Sequence, residues 1–378
     1  MENILRNFVN TILKIIVPLT CKKSPDDSVL IIKLEVLGDF ILFLPSLKHY
    51  KEFYNDKKIT LLVDSGLNKK IAERYKEKGL IDEIIILDSS KFSKNIFYRF
   101  SFSRILYKTG FKTSIYHTYY RRFLGDFLVD ITNATERIGF TGYRVEKYND
   151  KRMLNVYTKT ISVPKEIKTE FDRNKYFIES ITEKDNIDYR PEFPISKEDE
   201  NYDLKKPYAV IFPGAGQEYR NWSAKRFSEI CEYLIKKNIT PVITGSSVDK
   251  EPVEVLINHL PKDSAEKIIN LSEKTNIFEL AYVLKNAKFY FGNETGIVHL
   301  AIAVECPTLC ILGGGVFDIF YPYGDLNKNR AIYWKDMPCK NDDWECRKQN
   351  PNGPAPCINA ITTDQAKSEI DNLLEYLK

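Results

Sequence analysis

The stretch FYFGNETGIVHLA, Phe289 to Ala301, decides how the chain is read. Ala287 to Phe291 is an apolar run that predicts a buried strand, and Gly292 and Asn293 break it. Glu294, Thr295 and Gly296 then open a second apolar segment, Ile297 to Ala303, with helical spacing. A strand that ends in glycine and polar residues at a helix N-terminus makes an anion site. The first backbone N–H groups are unpaired there, and the helix dipole is positive. Glu294 and His299 can flank a ligand seated on that helix end. The carboxylate accepts from sugar hydroxyls, and the imidazole donates to a phosphate oxygen. The same residues also fit an ordinary capped helix with a satisfied histidine, so the context has to choose.

Working outward, the same strand-loop-helix unit recurs. Before the stretch the pattern restarts at Tyr208-Ala-Val-Ile-Phe-Pro-Gly-Ala-Gly216, and strands follow at Thr240 to Thr244 and Ile268 to Leu271. Helices alternate with them: one started by Ser223 at the cap position and marked by Trp222, Phe227, Ile230, Cys231 and Leu234, then Lys250 to Leu260 and Ile277 to Asn286. After it, Thr308 to Leu312 is a strand closed by Gly313, Gly314 and Gly315. The first half repeats the pattern. Val29 to Leu34 is a β-branched run ending at Leu37-Gly38-Asp39, and one helix containing Pro45 is expected from Phe40 to Tyr54. Strands follow at Ile59 to Val63, Ile81 to Leu87 and Lys112 to His117, helices at Leu67 to Lys78, Tyr119 to Thr132 and Glu170 to Glu183. Glu136 to Phe140 reads as a short edge strand, and Asn149 to Pro164 has no clear period. The tail from Lys335 to Asn359 is loop-like.

Strands alternating with helices mean parallel sheets covered on both faces. The class is therefore α/β: two Rossmann-like parallel-sheet domains facing across a cleft. The expected division is an N-terminal helix and linker over residues 1–28, domains over 29–190 and 205–362, and a terminal helix over 363–378. Ligands in such sheets bind outside the carboxyl ends of the strands. Both Gly38-Asp39 and the Glu294 to His299 turn sit there.

At 378 residues, the chain has room for two such domains. A net charge of +4 does not favour nucleic acid as a partner. No apolar run reaches the ~18 residues of a membrane span. Ile4 to Leu19 has helical apolar spacing with Arg6 and Lys14 among it, so it packs on the protein's own body or lies on a membrane surface. Lys91 to Arg122 is rich in Lys, Arg, Phe and Tyr and holds no Asp or Glu. It reads as a solvated basic face, or as a surface for anionic lipid headgroups or a phosphorylated glycan. Seven cysteines, an odd and mostly scattered set, point to a reducing compartment, hence the cytoplasm. The spacings of Cys339, Cys346 and Cys357 match no zinc pattern well. G-x-G-x-x-G, Walker and G-x-S-x-G sequences are absent, which takes the main support from nicotinamide enzymes, P-loop proteins and α/β-hydrolases, a nicotinamide enzyme staying as a third option that cofactor binding would reveal. The remaining chemistry uses one carboxylate and an anion-stabilising site.

Three ordered motifs carry a resemblance: IIKLEVLGDFILFLPSL (Ile31 to Leu47), VIFPGAGQEYRNWSAKRFSEI (Val210 to Ile230) and GNETGIVHLAIAVECPTLCILG (Gly292 to Gly313). From Val29 onward the chain resembles glycosyltransferase family 9, the lipopolysaccharide heptosyltransferases. The resemblance implies a GT-B fold and an inverting transfer without metal or cofactor. The implied donor is ADP-heptose, and the acceptor is a lipid-linked core glycan. By position Asp39 matches the catalytic base. Ala215 and Gly216 match backbone donors to the diphosphate, and Arg220 stands where the family keeps a Lys. Asp249 matches the residue that holds the ribose. Thr295 and Gly296 would contact the diphosphate, with His299 nearby. Glu294 stands where the family usually has Asp, and Val36 where some members carry Ser. Tyr119, Tyr120, Arg121 and Arg122, after a strand end, are the expected acceptor contacts. The cysteine set places the protein in the cytoplasm, and the N-terminal helix and basic-aromatic stretch leave open a peripheral position on the inner membrane. The alternatives are another sugar nucleotide serving a different surface glycan, or an inactive sugar-nucleotide-binding protein.

Overall fold

The computed structural model describes residues 2–24, 26–142, 155–345 and 353–378. It divides into two compact units, Met1–Tyr189 and Arg190–Lys378. The first runs α1 (Glu2–Thr20), β1 (Asp26–Lys33), α2 (Leu37–Phe43), α3 (Ser46–Phe53), β2 (Ile59–Asp64), α4 (Leu67–Glu77) and β3 (Glu83–Leu87). It continues with α5 (Ser89–Lys94), α6 (Ile96–Thr109), β4 (Phe111–Tyr116), α7 (Phe123–Thr132), β5 (Glu136–Phe140), β6 (Lys159–Ile161) and α8 (Glu170–Thr182). Its six strands lie parallel in the order β3-β2-β1-β4-β5-β6. Placing β1 at the centre explains its uninterrupted run of buried residues from Ser28 to Lys33, since helices cover both faces.

The second unit runs β7 (Tyr208–Phe212), α9 (Ala224–Lys236), β8 (Thr240–Ile243), α10 (Lys250–Asn258), α11 (Lys262–Ala265), β9 (Ile269–Asn270) and α12 (Ile277–Asn286). After these come β10 (Phe289–Asn293), α13 (Gly296–Ala303), β11 (Thr308–Ile311), β12 (Asn329–Ile332), α14 (Pro356–Asn359) and α15 (Thr363–Tyr376). Again six parallel strands form one sheet, ordered β12-β11-β10-β7-β8-β9. The stretch Phe289 to Ala301 is thus β10 and most of α13, with β10 paired between β7 and β11.

Several expectations change. The single helix over Phe40 to Tyr54 is two, because Pro45 has no N–H for a continuing helix and instead sits at the N-cap of α3. Helix α7 begins at Phe123, which leaves Tyr119 to Arg122 in the loop before it. Glu136 to Phe140 is not an edge strand. The aperiodic stretch supplies β6, which pairs outside it through Ile138–Lys159, Gly139–Thr160 and Phe140–Ile161. Gly139 is required there, since a Cβ would lie 2.4 Å from the Tyr157 ring. Residues 149–154 of that stretch, and Cys346, lie outside the described residues. Strand β12 carries no apolar run and is legible only from its pairing to β11.

Neither terminal helix stands apart from its unit. Leu13 and Val17 of α1 enter the first unit's core beside Phe102, Leu106 and Phe127. Ala366, Ile370 and Leu373 of α15 enter the second unit's core. Among the described residues, no helix is long and apolar enough to cross a membrane.

Candidate functional site

In the first unit β1 delivers Lys33 to the sheet's carboxyl end, and Val36 caps the helix that carries Asp39 in its first turn. Asp39 is half-buried, and among the described residues its carboxylate makes no hydrogen bond or ion pair. Burial pushes its pKa up to about 7. The charge of Lys33 opposes the rise, Glu170 and Glu35 add to it, and Arg122 opposes it. Asp39 is therefore a carboxyl group that gains and loses its proton near neutrality.

Beneath it lies an ionic cluster that sequence reasoning missed. Lys33 is fully buried. Its Nζ donates to the His117 carbonyl at 3.0 Å and to Thr118 Oγ1 at 3.4 Å, and it pairs with Glu35 at 3.5 Å. Glu35 also accepts from Tyr116 Oη at 2.9 Å. Glu170 is buried too, with its pKa raised by burial against the pull of Lys33 and Arg173. A lysine at the end of the apolar run VLIIK was the available signal: a buried ammonium needs carboxylates, and they come from elsewhere in the chain.

The expected acceptor residues divide. Arg173 lies over the Tyr119 ring at 4.1 Å and donates to Tyr120 Oη at 3.2 Å, so both tyrosines are held in place. Arg122 is exposed, and its charge acts on Asp39. Arg121 turns inward instead. Its Nε lies 3.6 Å from Asp126 Oδ1, and its guanidinium covers Tyr157 at 4.8 Å.

In the second unit the carboxyl ends of β7 and β10 are joined by one buried side chain, Asn293. Its Nδ2 donates to the carbonyls of Pro213 (2.8 Å) and Gly214 (3.2 Å), and its Oδ1 accepts from Trp222 N–H at 3.0 Å. This fixes the loop of Gly214, Ala215 and Gly216 against the start of α13. A Cβ on Gly214 would meet Asp249 Oδ1 at 1.9 Å, so that glycine is structural. Gly216 is exposed with no atom near its Cβ position, which leaves its backbone accessible.

Arg220 Nη2 donates to the side-chain Oε2 and, at 2.6 Å, to the backbone carbonyl of Glu294. Glu294 is buried, and its own N–H donates to the Ile311 carbonyl. Thr295 caps α13 by accepting from Ile297 N–H at 3.3 Å. His299 is buried, 3.2 Å from Tyr323 Oη. Burial, then the charge of Arg220, lowers its pKa to about 3. The ring is neutral at any working pH and acts only as a hydrogen-bonding group. Asp249 is half committed: Oδ2 accepts from Ser246 N–H (2.9 Å) and Oγ (2.7 Å). The six described cysteines are free thiols, and no group of three or more metal-ligating residues occurs among the described residues.

The Arg220–Glu294 pair can be measured. Arg220→Ala leaves a buried carboxylate unpaired and is expected to cost about 1–3 kcal/mol. Glu294→Gln in the same chain should restore part of that loss. Urea melts of both single variants and the double would contradict the coupling if the effects simply added, within about 0.5 kcal/mol.

Two parallel Rossmann-like sheets, each with polar residues gathered at its strands' carboxyl ends, define the GT-B class of fold. Residues 126–350 match glycosyltransferase family 9 (heptosyltransferase), and the chain belongs to that family. It is 23% identical over 311 residues to lipopolysaccharide heptosyltransferase 1 of Campylobacter coli, covering 75% of this chain and 83% of that one. Its match to lipooligosaccharide heptosyltransferase 2 of Haemophilus influenzae is 28% identical but spans only 32% of that relative's length and 29% of this chain. The fold superposes on E. coli ADP-heptose lps heptosyltransferase II with a TM-score of 0.69 at 15% identity, covering 93% of this chain and 100% of that one.

Proposed function

We propose that the protein is an inverting, metal-independent heptosyltransferase. It moves heptose from ADP-heptose to a lipid-linked, lipopolysaccharide core-type glycan, with Asp39 as general base. The observation that carries this reading is Asp39 itself. A half-buried carboxylate with no bonded partner among the described residues, titrating near 7, is suited to take a proton from a sugar hydroxyl. As Asp39 takes that proton, the acceptor oxygen bonds to the donor's anomeric carbon and the bond from that carbon to the diphosphate breaks. The displaced ADP leaves carrying the charge.

The second unit supplies what such a leaving group needs. The N–H groups at the start of α13, those of Ala215 and Gly216, Arg220 and the neutral His299 meet the diphosphate. Asp249 holds the ribose, as the position of these residues in the family implies. Both bonds of Arg220 to Glu294 use Nη2, so its other nitrogens remain to reach phosphate oxygens. Tyr119, Tyr120 and Arg122 contact the acceptor, and Arg121 supports their loop from within. The alternative, a transferase for another sugar nucleotide, draws on Glu294: its longer side chain is anchored by Arg220 where the family usually has Asp.

The test is a thermal-shift series with ADP-, GDP-, UDP- and CMP-sugars in EDTA. ADP-heptose at about 100 times its Kd should stabilise the fold by ~2.7 kcal/mol. A shift with another nucleotide sugar, and none with ADP-heptose, would select the alternative.

A further inference from the structure

The exposed faces of α1 and α6 concentrate large hydrophobic side chains. On α1, Asn10, Leu13 and Val17 are buried, so at 100° per residue the opposite face presents Ile15, Ile16 and Leu19. These are 60%, 40% and 80% exposed. On α6 the buried positions are Arg99, Phe102, Ser103 and Leu106, and the opposite face presents Phe97, Arg104, Ile105 and Lys108. Phe97 is 80% exposed and Ile105 53%.

The two helices run side by side. Arg99 reaches Asn10 at one end, and at the other Arg104 donates to the Thr20 carbonyl and Ser24 N–H to the Lys108 carbonyl. Together these two helices carry six of the fourteen large exposed hydrophobic residues among the described residues. Scattered single residues would need no explanation, but a cluster does.

The exposed charge on the two helices is positive. Residues 3–25 and 91–122 contain no Asp or Glu, and Lys94, Arg104 and Lys108 are exposed. Of the acidic groups that follow α1, Asp26 donates its N–H to the Gly110 carbonyl and Asp27 is paired with Lys57 and Lys112. The neighbouring Asp130 is already held by Lys14. A second copy of this face would bring cations against cations. Nucleic acid would leave the aliphatic centre unused. A surface that offers both hydrocarbon and negative headgroups satisfies both halves.

We propose that the outer faces of α1 and α6 dock the protein on a bilayer containing anionic lipid. Ile15, Leu19, Phe97 and Ile105 would enter the acyl boundary, and Lys94 and Lys108 would lie at headgroup level. The proposal extends the reading above that the acceptor is lipid-linked.

The test uses the full chain with vesicles of phosphatidylcholine alone or with 30% phosphatidylglycerol. Wild type should sediment with the anionic vesicles and stay in solution with the neutral ones. Lys94→Glu with Lys108→Glu should weaken binding at least about thirtyfold. Ile15→Ser with Leu19→Ser should weaken it about tenfold or more. Both pairs are surface changes, so melting temperature and turnover on a water-soluble acceptor fragment should stay at wild-type values. Wild type left in solution with anionic vesicles, or either variant pair binding like wild type, would overturn the proposal. Equal binding of wild type and the Ser pair to heparin and to vesicles would do the same, by reducing the face to a general polyanion patch. Failure of the soluble-acceptor turnover in wild type would instead count against the transferase reading and leave the docking result standing.

Discussion

Asp39→Asn should lower kcat by about 10²–10⁴ while leaving donor affinity unchanged, because the amide keeps the shape and removes the base. In wild type the rate should fall as pH drops through about 7, since only the ionised carboxylate accepts the proton. Asn should abolish that limb. Stability gives a second readout with the opposite benefit. The folded-state pKa is raised above the ordinary carboxylate value of ~3.9, so between the two values the folded chain holds the proton more tightly than the unfolded chain. Wild type is therefore stabilised in acid and loses this contribution as pH rises through about 7. Asn carries no such dependence, and at pH 8 it should be the more stable protein, by about 2 kcal/mol after allowing for partial exposure. A variant with unchanged turnover, or one that is less stable than wild type at pH 8, would remove Asp39 from the role of base.

Lys33→Met should be the most damaging single change in the first unit, at about 3–5 kcal/mol. Methionine fills the space, but Glu35 and Glu170 lose their buried cation and Tyr116 is left bonded to an uncompensated carboxylate. Lys33 also holds down the pKa of Asp39. In the fraction that folds, the pH–rate limb should therefore move to higher pH. That displacement separates a positioning role from simple loss of structure. An unmoved limb, with only the yield of folded protein reduced, would leave Lys33 as a structural residue alone.

Features written locally were legible. The apolar runs at Val29 and Ala287, each ended by glycine and a polar residue, located β1, β10 and the two strand ends where Asp39 and Glu294 sit. The class of fold followed from their alternation with helices. What stayed hidden depends on partners distant in the chain. β6 and β12 have too few apolar residues to announce themselves and exist through pairing to β5 and β11. Asn293 read as a strand breaker, but it fastens the Pro213–Gly214 loop and Trp222 N–H to the strand end. Arg121, adjacent to Tyr120 and Arg122, points inward because Asp126 and Tyr157 are there to receive it. No periodicity encodes that choice.

The central place of β1 also bears on how the protein is made. Lys33 leaves the ribosome 84 residues ahead of His117, whose carbonyl it must reach. At synthesis rates of about 5–20 residues per second, that interval is roughly 4–17 s. Throughout it β1 lacks its neighbour on the β4 side, and Glu35 is the one partner of the Lys33 ammonium already made. Two of the three groups that receive the buried ammonium, the His117 carbonyl and Thr118 Oγ1, thus come from just beyond β4, so the finished burial of β1's end depends on a strand made long after it.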